Sequence, residues 1–342
     1  MPKPLLAILL LAIACAPRET PAPRDSHELT GAPLFVSSER AGTISVIDTA
    51  TNRVVRTIAV GARPRGLALK GDGTILYAAL TDLPGRNGTI AAGRRGIAAI
   101  DVASGKVRAM YDGGTDPETV AASADGTRLY VSNEDSGTAT ILDTKTGSPV
   151  ATLVVGIEPE GSIISPDGRL VYITAETSST ISVIDTRKNT VIATFLVGNR
   201  PRSAAFSGDS RTAWVTSEVA GELALVDVAS SSVIDTIHLP PPAKPVGVVL
   251  SPDDATAYVA NGHGNSVSVI DTKTRQVTAT IPAGTRPWNL ALSPDGTRLY
   301  TANGLSDDVS VIDVKSRQKI ATIRVPGGPW GVVYGRPPLR GR

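Results

Sequence analysis

NLALSPDGTRLYTANGLSDDVSVIDVKSRQKIATIRV, residues 289–325, contains four short runs rich in Val, Ile, Leu, Thr and Tyr, parted by turn-forming clusters. The runs NLALS, RLYTAN, DVSVIDV and QKIATIRV alternate apolar and polar residues at every second position, which is the period of a strand. Between the first two, SPDG (293–296) supplies Pro for its restricted φ, Asp as a local acceptor and Gly for positive φ, so a tight hairpin turn is expected there. The whole stretch predicts one antiparallel, four-stranded sheet.

The unit recurs along the chain. Its V-I-D-like aspartate falls at Asp48, Asp101, Asp143, Asp185, Asp227, Asp271 and Asp313, in steps of 53, 42, 42, 42, 44 and 42 residues. Phe35, Tyr130, Tyr172, Trp214, Tyr258 and Tyr300 each stand 13 residues before their aspartate, whereas Tyr77 stands 24 before Asp101. The period is therefore 42, with an 11-residue insertion in TDLPGRNGTIAAGRRG (81–96) and a two-residue insertion in LPPPAKP (239–245). Strand-only units of this length in series predict an all-β, seven-bladed β-propeller of four-stranded blades. Early on comes a second-strand sequence (LFVSS), and near the end a first-strand sequence (WGVVYG). The last blade is expected to take its inner strand from 330–335 and its other three from 34–60, so that strands from both termini close the ring and leave only short edges.

Ahead of the repeat, Lys3, an apolar run from Leu5 to Ile13 and then Ala14-Cys15 read as a lipoprotein-type signal peptide, residues 1–15, with lipidation at Cys15. The Pro- and charge-rich residues 16–33 are expected to form a flexible tether, 34–335 the propeller, and 336–342 a disordered tail. Export to the periplasm or outer surface follows, with membrane contact only through the anchor. A net charge of +2 with scattered basic residues gives no footprint for nucleic acid. Cys15 is the only cysteine, which excludes an internal disulfide and a cysteine metal cage.

With strands lettered A to D from the channel outward, the B–C and D–A loops share one face, together with both insertions, and that face is the expected binding side. The residues flanking each D–A loop proline are Arg63/Arg65, Asp116/Glu118, Glu158/Glu160, Arg200/Arg202, Lys244/Val246, Arg286/Trp288 and Gly328/Trp330, and they are expected to ring the channel mouth. A second ring, at the ends of the B strands, comprises Glu39, Glu134, Glu176 and Glu218, with His263 in its own loop. Asp116, Glu118, Glu134, Glu158, Glu160 and Glu176 make an acidic sector, Arg63, Arg65, Arg200 and Arg202 flank it, and Trp288 and Trp330 lie opposite. Such a site suits a cationic or polar small molecule or a partner protein of the cell envelope. The same charges also suit mutual neutralisation by salt bridges.

Nothing in the sequence assigns a catalytic residue, a cofactor or a metal. The V-I-D aspartates recur in every blade, which fits a turn acceptor. There is no Gly-x-Ser-x-Gly elbow, no Cys-x-x-Cys-His, no contiguous Asp-rich calcium loop and no periodic tryptophan pattern. A monomeric, non-enzymatic binding module is expected, with a propeller enzyme (a lactonase, or a quinone- or haem-dependent oxidoreductase) or a structural surface-layer protein as alternatives.

LYVSNEDSGTATILDT, AYVANGHGNSVSVIDTKT and LYTANGLSDDVSVIDV resemble the YVTN-type propeller repeat. The ordered series RPRG, DPET, SNED, EPEG, RPRS, TSE, RPWN, TANGLSDDVSVIDV and PWGV is similar, more narrowly, to bacterial propellers associated with pyrroloquinoline quinone-dependent catabolism, over about residues 34–335. The resemblance implies an accessory role near quinoprotein oxidation of alcohols. The insertion at 81–96 and the lipobox-like start depart from that pattern.

Overall fold

Alternation drives the same hairpin geometry in every unit, and the computed structural model, which describes residues 29–61, 63–81 and 95–336, shows it as seven separate four-stranded antiparallel sheets. Blades 1 to 6 span 63–111, 117–154, 159–196, 201–238, 245–282 and 287–324. Blade 7 joins the A strand Pro329–Tyr334 to Pro33–Ser38, Thr43–Asp48 and Arg53–Ala59, with Leu34 opposite Tyr334 and Val36 opposite Val332. The expected closure is thus present. Among the described residues there is no helix.

One feature differs from the sequence expectation. Ordered structure starts before residue 34, because Asp48 accepts from the backbone N–H groups of Thr30 (2.9 Å) and Gly31 (3.0 Å), which pulls the supposed end of the tether onto blade 7. Cys15, the rest of the tether, most of the 81–96 insertion and the tail 337–342 lie outside the described residues.

Apolar faces are buried between blades. Ile44, Val46, Val55 and Ile58 of blade 7 form one cluster with Leu76, Ala78, Ala98 and Ile100 of blade 1, while Leu34, Val36 and Ile47 pack on Tyr300, Val309 and Val311 of blade 6. The B and C strands are consequently buried on both faces, as in Thr180–Asp185, and the D strands alternate between exposed and half-buried, as in Thr190–Leu196. Each C–D pair carries a register shift, which twists the outer edge away from flat pairing with another sheet. Trp214 replaces the usual B-strand tyrosine and is buried, as its place in the repeat predicts.

The V-I-D aspartates close the C–D turns. Asp143 accepts from the backbone N–H groups of Lys145 and Thr146, and Asp271 from those of Thr274 and its hydroxyl. Their carboxyls are held below the usual range, chiefly by these hydrogen bonds. Beyond the turn, Asp101, Asp143 and Asp313 pair with Arg108, Arg128 and Arg298, and Asp48 holds the segment ahead of blade 7.

Candidate binding site at the channel mouth

Every A strand is interrupted just after the loop proline. Its register with the B strand shifts between Pro64 and Leu67, Pro117 and Val120, Pro159 and Ser162, Pro201 and Ala204, Pro245 and Val248, and Pro287 and Asn289, with a matching shift in blade 7. A bulge re-aims the residue within it, and the residue carried there is Arg65, Glu118, Glu160, Arg202, Val246, Trp288 or Trp330. These seven side chains surround the mouth, one from each blade. Val246 is the aliphatic member.

The residue before the proline sits one step higher. In six of the seven loops it has φ between 49° and 73°, and its carbonyl accepts from the first backbone N–H after the B strand. The pairs are Glu134 N to Asp116 O (3.0 Å), Glu176 N to Glu158 O (2.9 Å), Glu218 N to Arg200 O (2.8 Å), Gly262 N to Lys244 O (2.9 Å), Gly304 N to Arg286 O (3.0 Å) and Glu39 N to Gly328 O (2.9 Å). This bond brings the two expected rings together, blade by blade.

A further set of residues, not singled out in the sequence, holds the mouth in place. Two positions after the B-strand aromatic, four blades carry a hydroxyl: Ser37, Ser132, Thr174 and Thr216. Each accepts from a bulge N–H of its own blade (Gly331, Thr119, Gly161 and Ser203). Each also donates to the carbonyl of the mouth residue in the next blade: Arg65 (2.6 Å), Glu160 (2.6 Å), Arg202 (3.2 Å) and Val246 (2.5 Å). The strands approach so closely that a Cβ at Gly331 would lie 2.3 Å from Arg65 O, which is why glycine stands there.

Long side chains then reach across blades. Arg202 meets Glu160 (3.0 Å), Glu176 and Glu218 (3.8 Å); Arg200 meets Glu176 (2.6 Å) and Glu218 (3.4 Å); Arg286 meets Glu218 (2.8 Å). Three carboxylates thus face three guanidiniums. Arg63 pairs with Glu39, and Arg65 pairs with Glu118 while standing 3.7 Å from Glu39 and 3.9 Å from Glu134. Glu158 turns outward to accept from Thr177, Lys244 donates to the Val219 carbonyl (2.8 Å), and His263 lies exposed in its loop.

Of the two layouts that the sequence suits, an acidic wall opposite aromatic residues and mutual neutralisation, these contacts follow the second over part of the ring. Glu160 and Glu176 are neutralised, leaving Asp116, Glu118 and Glu134 clustered as the acidic remainder, with Glu158 apart from them on the Thr177 hydroxyl. Trp288 and Trp330 are covered by the protein's own cations, Arg286 at 4.0 Å and Arg202 at 5.5 Å from the Trp288 ring centre, and Arg65 at 5.8 Å from that of Trp330. The two indoles lie 6.4 Å apart at 30°. Arginine side chains are long enough to bridge neighbouring blades, a reach that loop position alone does not convey.

The acidic remainder carries the perturbed groups. Burial, then the neighbouring Glu134, pushes the Asp116 carboxyl up to about 6. Burial and Glu160 raise Glu118 well above the usual range, against the pull of Arg65. Arg65 itself is raised in spite of its burial, because Glu118, Glu160 and Glu134 share it as a counter-ion. Beneath the mouth lies a cavity of about 170 Å³, lined by Glu160, Gly161, Arg202, Val246, Asn289 and Trp330 among others. That is smaller than drug-sized pockets of about 300–1,000 Å³, so it fits a small polar group, and a larger ligand would rest on the mouth above it.

Two family models match the sequence. One, Choice-of-anchor I domain, covers residues 30–204, just over half of the chain; the other, Lactonase, 7-bladed beta-propeller, covers residues 193–323. No curated protein matches. Among solved structures, Kuenenia stuttgartiensis hydrazine synthase is similar with a TM-score of 0.74 and 20% identity, over 86% of this chain and 97% of that one. A functionally unknown protein from Desulfotomaculum acetoxidans DSM 771 is similar with a TM-score of 0.74 and 16% identity, over 90% and 100%. At such identities the likeness is one of fold, and function has to be argued from the site.

Proposed function

The chain belongs to the family of choice-of-anchor I domains, and from that premise we propose that it is a non-catalytic binding module whose channel mouth takes a small polar or cationic molecule or a segment of an envelope protein. One observation carries this reading. The repeat is conservative in its strands and turns, yet at the one position per blade that a bulge aims into the mouth it presents Arg65, Glu118, Glu160, Arg202, Val246, Trp288 and Trp330. A ring serving only to close the fold has no need of four such different residue types, Arg, Glu, Val and Trp, at seven equivalent positions.

Export and a lipid anchor at Cys15 belong to the same proposal and rest on the first fifteen residues; a Cys15→Ser form that still sediments with membranes would overturn the anchor. The ordered loop motifs support an accessory place beside quinoprotein oxidation of alcohols.

The test is native mass spectrometry of the protein recovered from its host, followed by rebinding of whatever it carries. Trp288→Ala and Arg286→Ala are expected to weaken rebinding by about tenfold, the usual loss when a central aromatic or arginine anchor is removed, with circular dichroism unchanged. Equal rebinding by the variants and the parent would sink the site assignment. Turnover of a lactone by the parent would replace the reading with the hydrolase that the match over 193–323 favours.

A further inference from the structure

We infer that Asp116, Glu118 and Glu134 form a binding site for a divalent, oxygen-seeking cation of calcium's kind, on the blade 2 side of the mouth. The three residues each offer a carboxylate oxygen, and these oxygens all lie within 4.8 Å of one another. Ligands on opposite sides of one calcium ion, at about 2.3–2.6 Å from it, are separated by much the same span.

Charge points the same way. Glu160, Glu176 and Glu218 are matched by Arg200, Arg202 and Arg286, and Glu39 by Arg63. Among the described residues, Asp116, Glu118 and Glu134 have only Arg65 as an ion-pair partner, which leaves two negative charges there, the amount a divalent cation brings. Arg65 keeps Glu39 and the face of Trp330 as partners when a cation takes its place beside Glu118.

The independent observation is Asp116 itself. It is 6% exposed, and among the described residues neither carboxylate oxygen has a hydrogen-bond partner. Its five side-chain-bearing counterparts before the loop proline each have a hydrogen-bond or ion-pair partner: Arg63 with Glu39, Glu158 with Thr177, Arg200 with Glu176, Lys244 with the Val219 carbonyl and Arg286 with Glu218. A buried carboxylate without a donor is costly, and a cation held jointly with Glu118 and Glu134 removes that cost.

This inference rests on the reading of the mouth as a binding face, but it names an inorganic ligand for a part that Trp288 does not form. The test is calorimetric titration of calcium chloride, with magnesium chloride alongside and potassium chloride as the ionic-strength control, into the full chain freed of metal by a chelator. One saturable site is expected. Asp116→Asn should weaken it by at least about tenfold, a loss no smaller than that of an outer-shell partner, and the better-exposed Glu134→Gln should do likewise, whereas Trp288→Ala should leave it unchanged. Absence of saturable binding to the parent, or calcium binding by both variants as tightly as by the parent, would overturn the inference. Loss of the organic ligand in Trp288→Ala with calcium binding retained, or calcium binding with no organic ligand found, separates this inference from the proposed function.

Discussion

At the scale of single residues, Asp116 sets the pH response. Its carboxyl is raised from 3.8 to about 6, first by burial and then by Glu134, with Asp135 adding and Arg65 and Arg63 opposing. Between those values the folded chain holds a proton that the unfolded chain releases, so stability is greatest below the lower value and falls as pH rises through the upper one. Glu118, raised by burial and Glu160, steepens the same slope. In chelator, Asp116→Asn should flatten part of it and exceed the parent above about pH 6 by about 1–2 kcal/mol once solvent screening is allowed for, as read from denaturant melts at several pH values. A parent whose stability climbs over that window and matches the variant at neutral pH would contradict the assignment. With calcium present the slope should reverse, since the cation displaces the proton.

At the scale of elements, the interrupted A strand is the working part. Its bulge turns one side chain into the mouth, and the B-strand hydroxyl next to it ties that bulge to the following blade. Thr174 accepts from Gly161 N–H (2.7 Å) and donates to Arg202 O (3.2 Å), fully buried. Thr174→Val keeps the shape but orphans both backbone groups, and should cost about 1–3 kcal/mol in thermal or denaturant unfolding, whereas Thr194→Val on the outer D strand should cost far less. The strands and their turns were legible because periods of two residues and SPDG-like signals are local. The hydroxyl relay was not, since Ser37, Ser132, Thr174 and Thr216 read as ordinary strand residues until neighbouring blades are in contact. The mouth positions were legible from the loop prolines, yet their partners were not, because Arg286 reaches Glu218 across 68 residues of chain.

At the scale of the whole molecule, stability depends on closing the ring, because each apolar cluster is shared by two blades. Removing residues 329–342 would uncover the strand Pro33–Ser38, buried along its whole length, and leave blade 7 with an open edge. Such a truncation is expected to aggregate or to lose its single cooperative transition, which sedimentation and calorimetry would register; a soluble, cooperatively melting product would show that six blades and a partial seventh suffice. The sequence alone determined the number of blades, the splice between the ends and the face on which the unlike loop residues gather, because spacing and alternation are one-dimensional signals. Only the tertiary structure decided which of the charges cancel. Burial and cross-blade distance match Glu160, Glu176 and Glu218 to arginines, cover both tryptophans, and leave Asp116 enclosed beside Glu118 and Glu134 with no hydrogen-bond partner among the described residues.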